Sequence, residues 1–451
     1  MKTVGMLSLG CAKNLVDSEV MLGELQREGY QFSADAQHSD VVIVNTCGFI
    51  DKAKEESIQA ILDMADLKKQ GKIKKLIVSG CLSQRYHQEM QSELPEVDLF
   101  LGINHVGKIQ DFLRDLTSDK RNPQALLPDQ WQPDFLYSSN NQRVLTTPGY
   151  SAYVKISEGC DHTCSFCIIP KLRGKHRSRS IADIVKEVTK LGEQGVREIN
   201  LVAQDSTYYG RDLGLKDGLA LLLEALAEVP KIAWVRVHYM YPYQVTDRLL
   251  DIMNGHSKIC KYMDIPLQHA DKKVLASMRR GSGRAQLSKY LERIRKGIPD
   301  VFIRTSFIVG FPTEDERAFA ELEGFVKDQE FDYIGVFTYS LEEETSAFPL
   351  EDPFDEAVKE SRKERLLNLQ REISQHKLSL LKGRTLEVLV EGVHPETELL
   401  LKGRHQGQAP EVDGEVFVTE GFYQPGDIIP VTVEETFEYD LAGRVLGGVS
   451  V

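Results

Sequence analysis

Residues 159–167 of this chain read GCDHTCSFC and place Cys160, Cys164 and Cys167 close together, with no fourth cysteine nearby. The strand-like run AYVKIS ends directly before them, and it is the first of six such runs that alternate with helical stretches up to about residue 340. Alternation of this kind predicts parallel strands covered by helices, here a partial β/α barrel. Active sites of such barrels lie at the C-terminal ends of the strands, which is where these thiols fall. We call the three cysteines the barrel trio.

The other strand-like runs of this region are EINLVA, WVRVHY, YMDIP, IRTSFIVG and YIGVFTYS. Between the first two, Ser180 and Asp183 form an S-x-x-D capping signal ahead of apolar residues at helical spacing, which predicts that a helix begins near residue 181. We assign residues 148–375 to the barrel domain.

A separate β/α region precedes the barrel, over residues 1–125. Its strand-like runs VGMLSLG, VVIVN and KKLIVSG alternate with helical segments that end in glycine, which predicts an open parallel sheet. A cysteine closes or follows each run, and these are Cys11, Cys47 and Cys81, the N-terminal trio. Because open parallel sheets build sites at the carboxyl ends of their strands, we expect these cysteines to meet in one place.

Residues 126–147 mix Pro, Asn, Ser and Gln without periodicity, and we interpret them as a linker. After a polar helical segment at 355–380, short β-type runs with Gly and Pro turns predict a small all-β barrel over residues 376–451. The expected fold is therefore α/β with three parts: an open parallel-sheet domain, a partial (β/α)6 barrel and a small C-terminal β-barrel.

The composition describes an ordinary globular protein, with 41% hydrophobic and 27% charged residues among 451. No apolar run approaches the roughly 20 residues of a membrane span, and the N-terminus does not resemble a signal peptide. Seven cysteines in this length do not make a secreted disulfide framework. We therefore expect a cytoplasmic protein whose clustered thiols bind metal, and we assign the isolated Cys260 to the core.

Two kinds of metal site compete for the barrel trio. A structural zinc site is closed by four protein ligands, and His162 or His176 would have to complete it. A four-iron four-sulfur cluster held by three cysteines would leave one iron open, whereas a cluster that only carries electrons is expected to have four cysteines. This second interpretation predicts that a substrate or cosubstrate binds at the open iron.

The CxxxCxxC spacing after the first barrel strand resembles the signature of the radical S-adenosylmethionine superfamily. The resemblance implies that S-adenosylmethionine chelates the open iron and that the reduced cluster cleaves it to a 5′-deoxyadenosyl radical. Phe166 matches the aromatic residue usually found before the third cysteine and would lie near the adenine. Simple packing within the loop is the alternative for Phe166.

Longer stretches narrow the resemblance to one family. The chain is similar to the methylthiotransferases over nearly its whole length, in SLGCAKNLVDSE, VNTCGFID, SGCLSQR, EGCDHTCSFCIIPKLRGKHRSR, LVAQDST, DIPLQHADKKVLASMRR and FIVGFPTE. Such enzymes carry an N-terminal domain with three cysteines, a radical S-adenosylmethionine barrel and a C-terminal TRAM module. The resemblance implies that the N-terminal trio holds a second cluster, whose open iron accepts the sulfur or methylthio group. Unconnected buried cysteines are the alternative.

Methylthiotransferases act on an adenosine of transfer RNA or on an aspartate of a small-subunit ribosomal protein. The spellings GCAKNLVDSE and PLQHADKKVLASMRR resemble the enzymes that modify the ribosomal protein. Residues 376–451 contain three Lys and three Arg against three Asp and ten Glu, a net charge of −7. Such a module would repel phosphates and attract a basic protein, so we do not expect it to bind RNA. Solubility alone is the alternative explanation of its acidity.

Basic residues nevertheless cluster in KLRGKHRSR, residues 171–179. They would contact RNA, or hold the carboxylate of S-adenosylmethionine or of a substrate aspartate, and we favour the active-site role. Barrel topology adds three predicted cofactor contacts. Gln204 and Asp205 end the second strand, and Gly310 ends the FIVG strand, where a missing side chain lets an adenine or ribose approach. Capping of the next turn is the alternative for Asp205.

The resemblance implies a reaction that uses two four-iron four-sulfur clusters and S-adenosylmethionine. A radical generated at the barrel trio would abstract hydrogen from the aspartate β-carbon, and a methylthio group held at the N-terminal trio would replace it. Cofactor chemistry is required because no protein base ionises that C–H bond usefully. A flavodoxin-like or ferredoxin-like donor would supply electrons. Two alternatives remain: a transfer RNA methylthiotransferase with salt-sensitive binding, and a non-enzymatic metal scaffold.

Overall fold

The computed structural model describes residues 3–117 and 133–445. Its first domain is a five-stranded parallel sheet with the strand order β2-β1-β3-β4-β5. The elements of this domain are β1 (Thr3–Ser8), α1 (Ala12–Arg27), β2 (Gln31–Ser33), β3 (Val41–Thr46), α2 (Asp51–Lys69), β4 (Lys75–Gly80), α3 (Cys81–Glu93), β5 (Leu99–Leu101) and α4 (Ile109–Thr117). The predicted open parallel sheet is confirmed.

Helices cover both faces of this sheet. In β3, Val41 and Ile43 pack in one apolar cluster with residues of α1 and α4, while Val42 and Val44 pack in another with residues of α2 and α3. The central strand is consequently buried along its whole length, as parallel strands between two helical layers are. The functional groups of the domain therefore emerge at the strand ends.

The second domain contains six parallel strands, as the sequence predicts. They form two sheets, β6-β9-β10 and β11-β12-β13, which an isolated bridge between Val235 and Ile259 connects. The strands are β6 (Ser151–Lys155), β9 (Glu198–Val202), β10 (Trp234–Val237), β11 (Tyr262–Asp264), β12 (Phe302–Val309) and β13 (Tyr333–Thr338), with the two-residue strands β7 (Ser157–Glu158) and β8 (Arg177–Ser178) beside them. The helices are α5 (Ile169–Arg173), α6 (Ile181–Glu193), α7 (Gly218–Ala227), α8 (Asp247–Gly255), α9 (Lys272–Ser277), α10 (Arg284–Gly297), α11 (Glu316–Gln329) and α12 (Glu356–Ser379).

Helix α6 begins where the capping signal predicts. The Ser180 hydroxyl accepts a hydrogen bond from the Asp183 backbone N–H at 3.3 Å and so satisfies one of the free donors of the first turn. The apolar face of α6 then packs against the outside of the barrel through Ile184, Val188 and Leu191. The barrel is therefore built from strands whose outer faces are covered by helices.

Strand side chains alternate between this covered face and the barrel lumen. In β12 the residues Ile303, Thr305, Phe307 and Val309 are buried, and the residues between them are only partly buried. Phe337, which lies opposite Ile308 in the register of β12 and β13, is 50% exposed. The lumen is therefore accessible along the last two strands.

The third domain is a closed β-barrel with the strand order β14-β15-β16-β18-β17, as predicted. Its strands are β14 (Thr385–His394), β15 (Thr397–His405), β16 (Val416–Val418), β17 (Ile428–Thr436) and β18 (Leu441–Val445). Helix α12 leads into it and runs continuously across residue 376, the start assigned to this module from the sequence.

The small barrel closes the N-terminal end of the large one. Arg404 of β15 pairs with Glu198, the first residue of β9, at 2.7 Å. The Gln406 carbonyl accepts a hydrogen bond from Arg236 at 2.7 Å, and Asp413 accepts one from Tyr262 at 2.8 Å. We call residues 404–413 the plug. It lies at the end of the barrel opposite to the barrel trio.

The chain between the first two domains is a packed strap. Of the predicted linker over residues 126–147, the part 126–132 lies outside the described residues. In the part that the structure describes, Arg143 pairs with Glu19 of α1 at 2.5 Å and with Glu187 of α6 at 2.9 Å. These long-range partners, which composition cannot reveal, hold the strap against both domains.

The strap crosses α1 at Gly23. A Cβ at this position would lie 2.1 Å from the carbonyl oxygen of Gln142, so only glycine fits beneath the strap. Within residues 3–117 and 133–445, no helix combines the length and hydropathy needed to cross a bilayer.

Candidate active site

The N-terminal trio converges at the carboxyl edge of the first sheet, as predicted. Cys11 caps α1 after β1, Cys47 follows β3, and Cys81 is the first residue of α3 after β4. Because β1, β3 and β4 are neighbours, their ends meet. Gly10 adopts φ +87°, and a side chain there would lie 2.8 Å from the Cys47 Cβ, so this glycine permits the close approach.

Asn14 holds the three strand ends together. Its side-chain amide donates to the carbonyl oxygens of Leu9 and Thr46 at 3.0 and 2.8 Å. Its amide oxygen accepts from the Cys81 thiol at 3.8 Å and from Arg173 of the barrel domain at 2.5 Å. One buried side chain thus connects all three cysteine loops and the neighbouring domain.

The N-terminal trio has uneven acidity. Burial raises the pKa of Cys47 to about 12 and also raises that of Cys81. Burial opposes ionisation of Cys11 as well, but the charges of Lys13 and Arg173 outweigh it and hold the pKa of Cys11 below its usual value. Iron binding would displace the remaining thiol protons, since the thiolate is the metal ligand.

The barrel trio lies on a loop that is pinned from several sides. The backbone N–H of Ser165 donates to the Met278 carbonyl at 3.0 Å, and its hydroxyl donates to the Ser277 carbonyl at 2.7 Å. The Ser165 carbonyl accepts from the Ala347 N–H at 2.8 Å. Residues near 277 and 347 therefore fix a loop whose cysteines are only seven positions apart.

Burial also governs the acidity of two cysteines of the barrel trio, Cys160 and Cys167. It raises the pKa of Cys160 to about 11 and that of Cys167 to about 12. The guanidinium of Arg280 approaches the Cys164 sulfur at 3.6 Å. The same guanidinium lies 4.3 Å from the centre of the Tyr241 ring, which in turn stacks on His162 at 4.0 Å. Sequence reasoning missed Arg280 and Tyr241 because neither belongs to the cysteine motif.

The two trios lie on the same side of the molecule. Cys81 packs in one apolar cluster with Ile168, which directly follows Cys167, and with Leu172 of α5. Arg173 also approaches the Cys81 sulfur at 3.5 Å. The helix that follows the barrel trio therefore forms a wall of the N-terminal trio.

A buried ion network surrounds this contact. Arg173 pairs with Glu158 at 3.0 Å and with Asp17 at 3.1 Å, and Lys155 binds both of these carboxylates. Burial opposes the ionisation of Glu158, but Arg173 and Lys155 outweigh it and hold its pKa far below the usual range. Gln204 donates to the same carboxylate at 2.7 Å. The network thus joins α1 to the loop that begins with the barrel trio.

A cavity of about 480 Å³ opens beside the barrel trio, within the range of small-molecule sites. All three cysteines border it, together with polar residues of the same loop, of the turn after α9 and of the segment after β13: Asp161, His162, Thr163, Lys171, Lys175, Arg279, Glu344, Thr345 and Ser346. Its size fits a nucleoside-sized cosubstrate beside the cysteines.

Gln204 and Asp205, two of the predicted cofactor contacts, differ in whether the protein already occupies their side-chain oxygens. The Gln204 amide oxygen is buried without a hydrogen-bond partner in the described structure, so an acceptor is available next to Glu158. Asp205 caps the turn after β9 by accepting from the Thr207 N–H at 2.9 Å, and it also binds His162 at 2.6 Å. The capping alternative for Asp205 is confirmed.

Gly310 and Phe166 are occupied by protein packing. A Cβ at Gly310 would lie 2.5 Å from the Lys359 side chain, so the missing side chain makes room for α12. Phe166 is partly buried against the apolar core of the barrel. Their predicted contacts with S-adenosylmethionine stay predictions.

The donor set fits iron–sulfur clusters better than zinc. Among the described residues, no three His, Cys, Asp or Glu side chains are grouped as one metal ion requires. His162 binds Asp205, and His176 Nε2 contacts the Ser178 hydroxyl at 2.9 Å. In a four-iron cluster each thiolate binds a different iron, so the ligands lie farther apart than the ligands of a single metal ion do. Three thiols alone suit it.

Carboxylates of the protein engage two of the three arginines in the basic stretch 171–179, and the third, Arg177, donates to the carbonyls of Lys175 and Arg173. Arg173 binds Glu158 and Asp17, and Arg179 pairs with Glu187 at 2.6 Å. Lys171 is 55% exposed and pairs with Glu344 at the cavity rim. Most of this basic stretch therefore organises the site through ion pairs within the protein.

Two buried cations of the described structure lack the carboxylate partner that the other buried cations have. Nine lysines and arginines are buried in the described structure, and seven of them have a carboxylate partner: Lys155, Arg173, Arg179, Arg236, Lys359, Arg362 and Arg404. Lys13 and Arg280, in the described ranges, have none. Lys13 lies two residues after Cys11, and Arg280 contacts Cys164. The cations without a counter-ion thus lie one beside each trio.

Cys260 lies in the core, as expected. It is 1% exposed and packs with Trp234 and Tyr262. Burial raises the pKa of its thiol to about 11.

Three family models match the chain in order. The uncharacterized protein family UPF0004 matches residues 3–102, the radical SAM superfamily matches residues 154–326, and the TRAM domain matches residues 383–446. Among solved structures, the radical S-adenosylmethionine methyltransferase TsrM from Kitasatospora setae aligns with a TM-score of 0.53 over 75% of this chain and 73% of that chain. At 13% identity, this likeness concerns the fold.

Two relatives are similar over nearly the whole length. The ribosomal protein uS12 methylthiotransferase RimO of Myxococcus xanthus is 47% identical over 445 residues, which cover 99% of this chain and 92% of the relative. RimO of Syntrophotalea carbinolica is 46% identical over 449 residues, which cover 99% of this chain and 97% of the relative. With this identity, this coverage and three domains in matching order, the chain belongs to the RimO family of radical S-adenosylmethionine methylthiotransferases.

Proposed function

We propose that the chain inserts a methylthio group at the β-carbon of an aspartate in ribosomal protein uS12. The observation that carries this proposal is the convergence of two cysteine trios on one side of the molecule, where Ile168 and Arg173 of the barrel domain contact Cys81. A reaction that joins a carbon radical to a sulfur group requires both sources within reach of one substrate carbon.

Each trio is proposed to hold one four-iron four-sulfur cluster, with S-adenosylmethionine at the barrel trio. Bound there, these cofactors supply the radical that activates an unreactive C–H bond and the sulfur that replaces the hydrogen. The cavity beside the barrel trio has room for S-adenosylmethionine. Arg280 is suited to its carboxylate, because this guanidinium is buried beside Cys164 without a protein carboxylate. The unpaired amide oxygen of Gln204 is suited to a donor of the same ligand.

The protein itself contributes the positions of the two cysteine trios. The ion network around Glu158 fixes the loop of the barrel trio against α1, and Asn14 fixes the N-terminal trio against the same network. Contacts with the same buried ion network around Glu158 thus hold both trios in place. Such preorganisation matters because small displacements of reacting groups cost large factors in rate.

The charge of the C-terminal module is consistent with a protein substrate rather than an RNA substrate. Its net charge of −7 favours association with a basic ribosomal protein and disfavours RNA phosphates. Because ribosomes supply this substrate, we place the reaction in the cytoplasm. A flavodoxin-like or ferredoxin-like protein is proposed to deliver the electrons.

The test is anaerobic turnover of the reconstituted protein with S-adenosylmethionine, a reductant, purified small ribosomal subunits and transfer RNA. Mass analysis of both macromolecules should find the methylthio group on an aspartate of uS12 and none on RNA. The Cys164→Ser variant, which removes one ligand of the barrel trio, serves as the inactive control. Modification of transfer RNA alone would refute the substrate assignment and favour the transfer RNA alternative.

A further inference from the structure

We propose that Lys13 binds the carboxylate of the target aspartate and thereby makes an acidic side chain the substrate. The inference rests on the proposed function and adds a residue that determines specificity. Its basis is the position of one buried ammonium group that has no counter-ion in the described structure.

Lys13 is 8% exposed, in the first turn of α1. Its Nζ lies 3.6 Å from the centre of the Tyr239 ring. Tyr239 lies two residues after the C-terminal end of β10. Its backbone has φ +58°, and its N–H donates a hydrogen bond to Asp264 at 3.1 Å. Lys13 therefore reaches from the N-terminal trio to the C-terminal mouth of the barrel.

A buried ammonium without a carboxylate is costly, because desolvation of the charge is not balanced by an ion pair. The contact with the Tyr239 ring, and at longer range the charges of Cys11 and Glu158, offset this cost. Seven of the nine buried lysines and arginines in the described ranges have a carboxylate of the protein instead. The exception at Lys13 is explained if a carboxylate arrives with the substrate.

The location suits the chemistry of an aspartate. The β-carbon is one bond from the carboxylate, so a cation that holds the carboxylate also fixes the carbon that reacts. Lys13 is two residues from Cys11, and the helix N-terminus of α1 adds a favourable field for an anion. An adenine base offers no anionic group to such a site. Lys13 would therefore discriminate between the two substrate classes of the family.

Lys13 also faces Cys11, so the competing explanation is that its charge serves the iron–sulfur ligands. The experiment separates the two. It compares the reconstituted wild type with Lys13→Met, which keeps the apolar stem, and Lys13→Arg, which keeps the charge. Each is tested for affinity toward uS12 with the target aspartate and toward uS12 with asparagine at that position.

The wild type should bind the aspartate form about 10- to 100-fold more tightly than the asparagine form, the factor that a buried charge pair supplies. Lys13→Met should bind both forms equally, with KM for the aspartate form raised by a similar factor, and Lys13→Arg should retain part of the preference. Iron and sulfide content should match the wild type. Lys74→Met, at an exposed lysine that pairs with Asp40, is the matched control.

Retained discrimination in Lys13→Met would overturn the proposal, and so would loss of iron from this variant with the preference intact. Failure of the proposed function is a different result: the wild type itself would leave uS12 unmodified and show no preference for the aspartate form.

Discussion

The two ends of the large barrel differ in whether every buried lysine and arginine of the described residues has a carboxylate partner. At the end closed by the plug, Glu198 is shared by Arg236 and Arg404 at 3.2 and 2.7 Å, and Asp413 pairs with Arg304 at 2.5 Å. At the end that carries the cysteines, Lys13 and Arg280 are buried and have no carboxylate partner among residues 3–117 and 133–445. Paired charges hold the plug in place, whereas unpaired ones leave binding capacity for molecules that come from outside.

The acidity of Glu198 reflects this pairing. Burial opposes ionisation, but Arg404 and Arg236 outweigh it and hold the pKa of Glu198 far below its usual value. The carboxylate therefore stabilises the folded protein above the ordinary glutamate pKa, and this contribution is lost only as the pH falls toward the lower folded value. Near Lys13, by contrast, the buried carboxylates of Asp17 and Glu158 are engaged by Lys155 and Arg173.

The largest effect is expected from the cysteines. Cys164→Ser should lower the rate of 5′-deoxyadenosine formation by about 100-fold or more, since even indirect changes at metal sites cost 10- to 100-fold. Cys47→Ser should leave 5′-deoxyadenosine formation intact but should lower the rate of methylthio transfer by a similar factor. Iron content should fall by about half in each variant, because each removes a ligand of one cluster. Loss of both activities in Cys47→Ser would show that the two trios are not separable in this way.

At the plugged end, Arg404→Met should destabilise the protein by about 3–5 kcal/mol, because it leaves Glu198 and Glu391 with a missing buried partner. Thermal unfolding measures this. Arg365→Met, at a half-exposed pair with Glu323, is the control and should cost about 0–1 kcal/mol. Equal effects of the two variants would remove the distinction between buried and exposed pairs here.

Acid should weaken the protein through His238 and His405. Burial lowers the pKa of both to about 3, while an unfolded histidine titrates near 6.5. Between these values the unfolded chain binds a proton that the folded chain does not. The free energy of unfolding should therefore fall by about 1.4 kcal/mol per histidine for each pH unit below 6.5. Denaturant titrations at pH 7 and 5.5 test this, and a His238→Gln, His405→Gln double variant should show a shallower pH dependence.

At the cysteine end, Arg280→Met should change the free energy of unfolding by less than about 1 kcal/mol, since no carboxylate loses its partner. It should instead weaken S-adenosylmethionine binding by about 10-fold, the effect of one charge-assisted hydrogen bond. Equilibrium binding of S-adenosylmethionine to the reconstituted protein measures the second effect. A large loss of stability with unchanged binding would place Arg280 with the paired cations of the plugged end.

Local patterns predicted the strands and the cysteines. Strand runs, glycine stops and the Ser180 cap act within a few residues, so the sequence carries them directly. Cys11, Cys47 and Cys81 could be placed together because parallel strands share an edge. The positions that the sequence did not reveal depend on distant partners.

Arg143 illustrates this limit. It lies in a stretch whose composition is typical of a linker, yet Glu19 and Glu187, from two domains, bind it. Likewise, the Lys359 side chain of α12 packs at Gly310, a neighbour that the sequence did not reveal, and the predicted cofactor contact of Gly310 stays a prediction. A missing side chain indicates that something approaches closely without indicating what.

Lys13 and Arg280 were missed for the opposite reason. Their signal is the absence of an acidic neighbour, and only the folded arrangement shows it. In the sequence, Asp17 follows Lys13 by one helical turn, a spacing at which a pair would be expected. In the structure Asp17 is engaged by Lys155 and Arg173.

The crossing of the strap over Gly23 has a consequence for distance. In the middle of a helix, alanine would normally be more stable than glycine by up to about 1 kcal/mol. Here that methyl group would strike Gln142 and lift the strap away from α1. The absence of a side chain at Gly23 thus lets the strap lie directly on α1, so that Arg143 can bridge Glu19 of the first domain and Glu187 of the second.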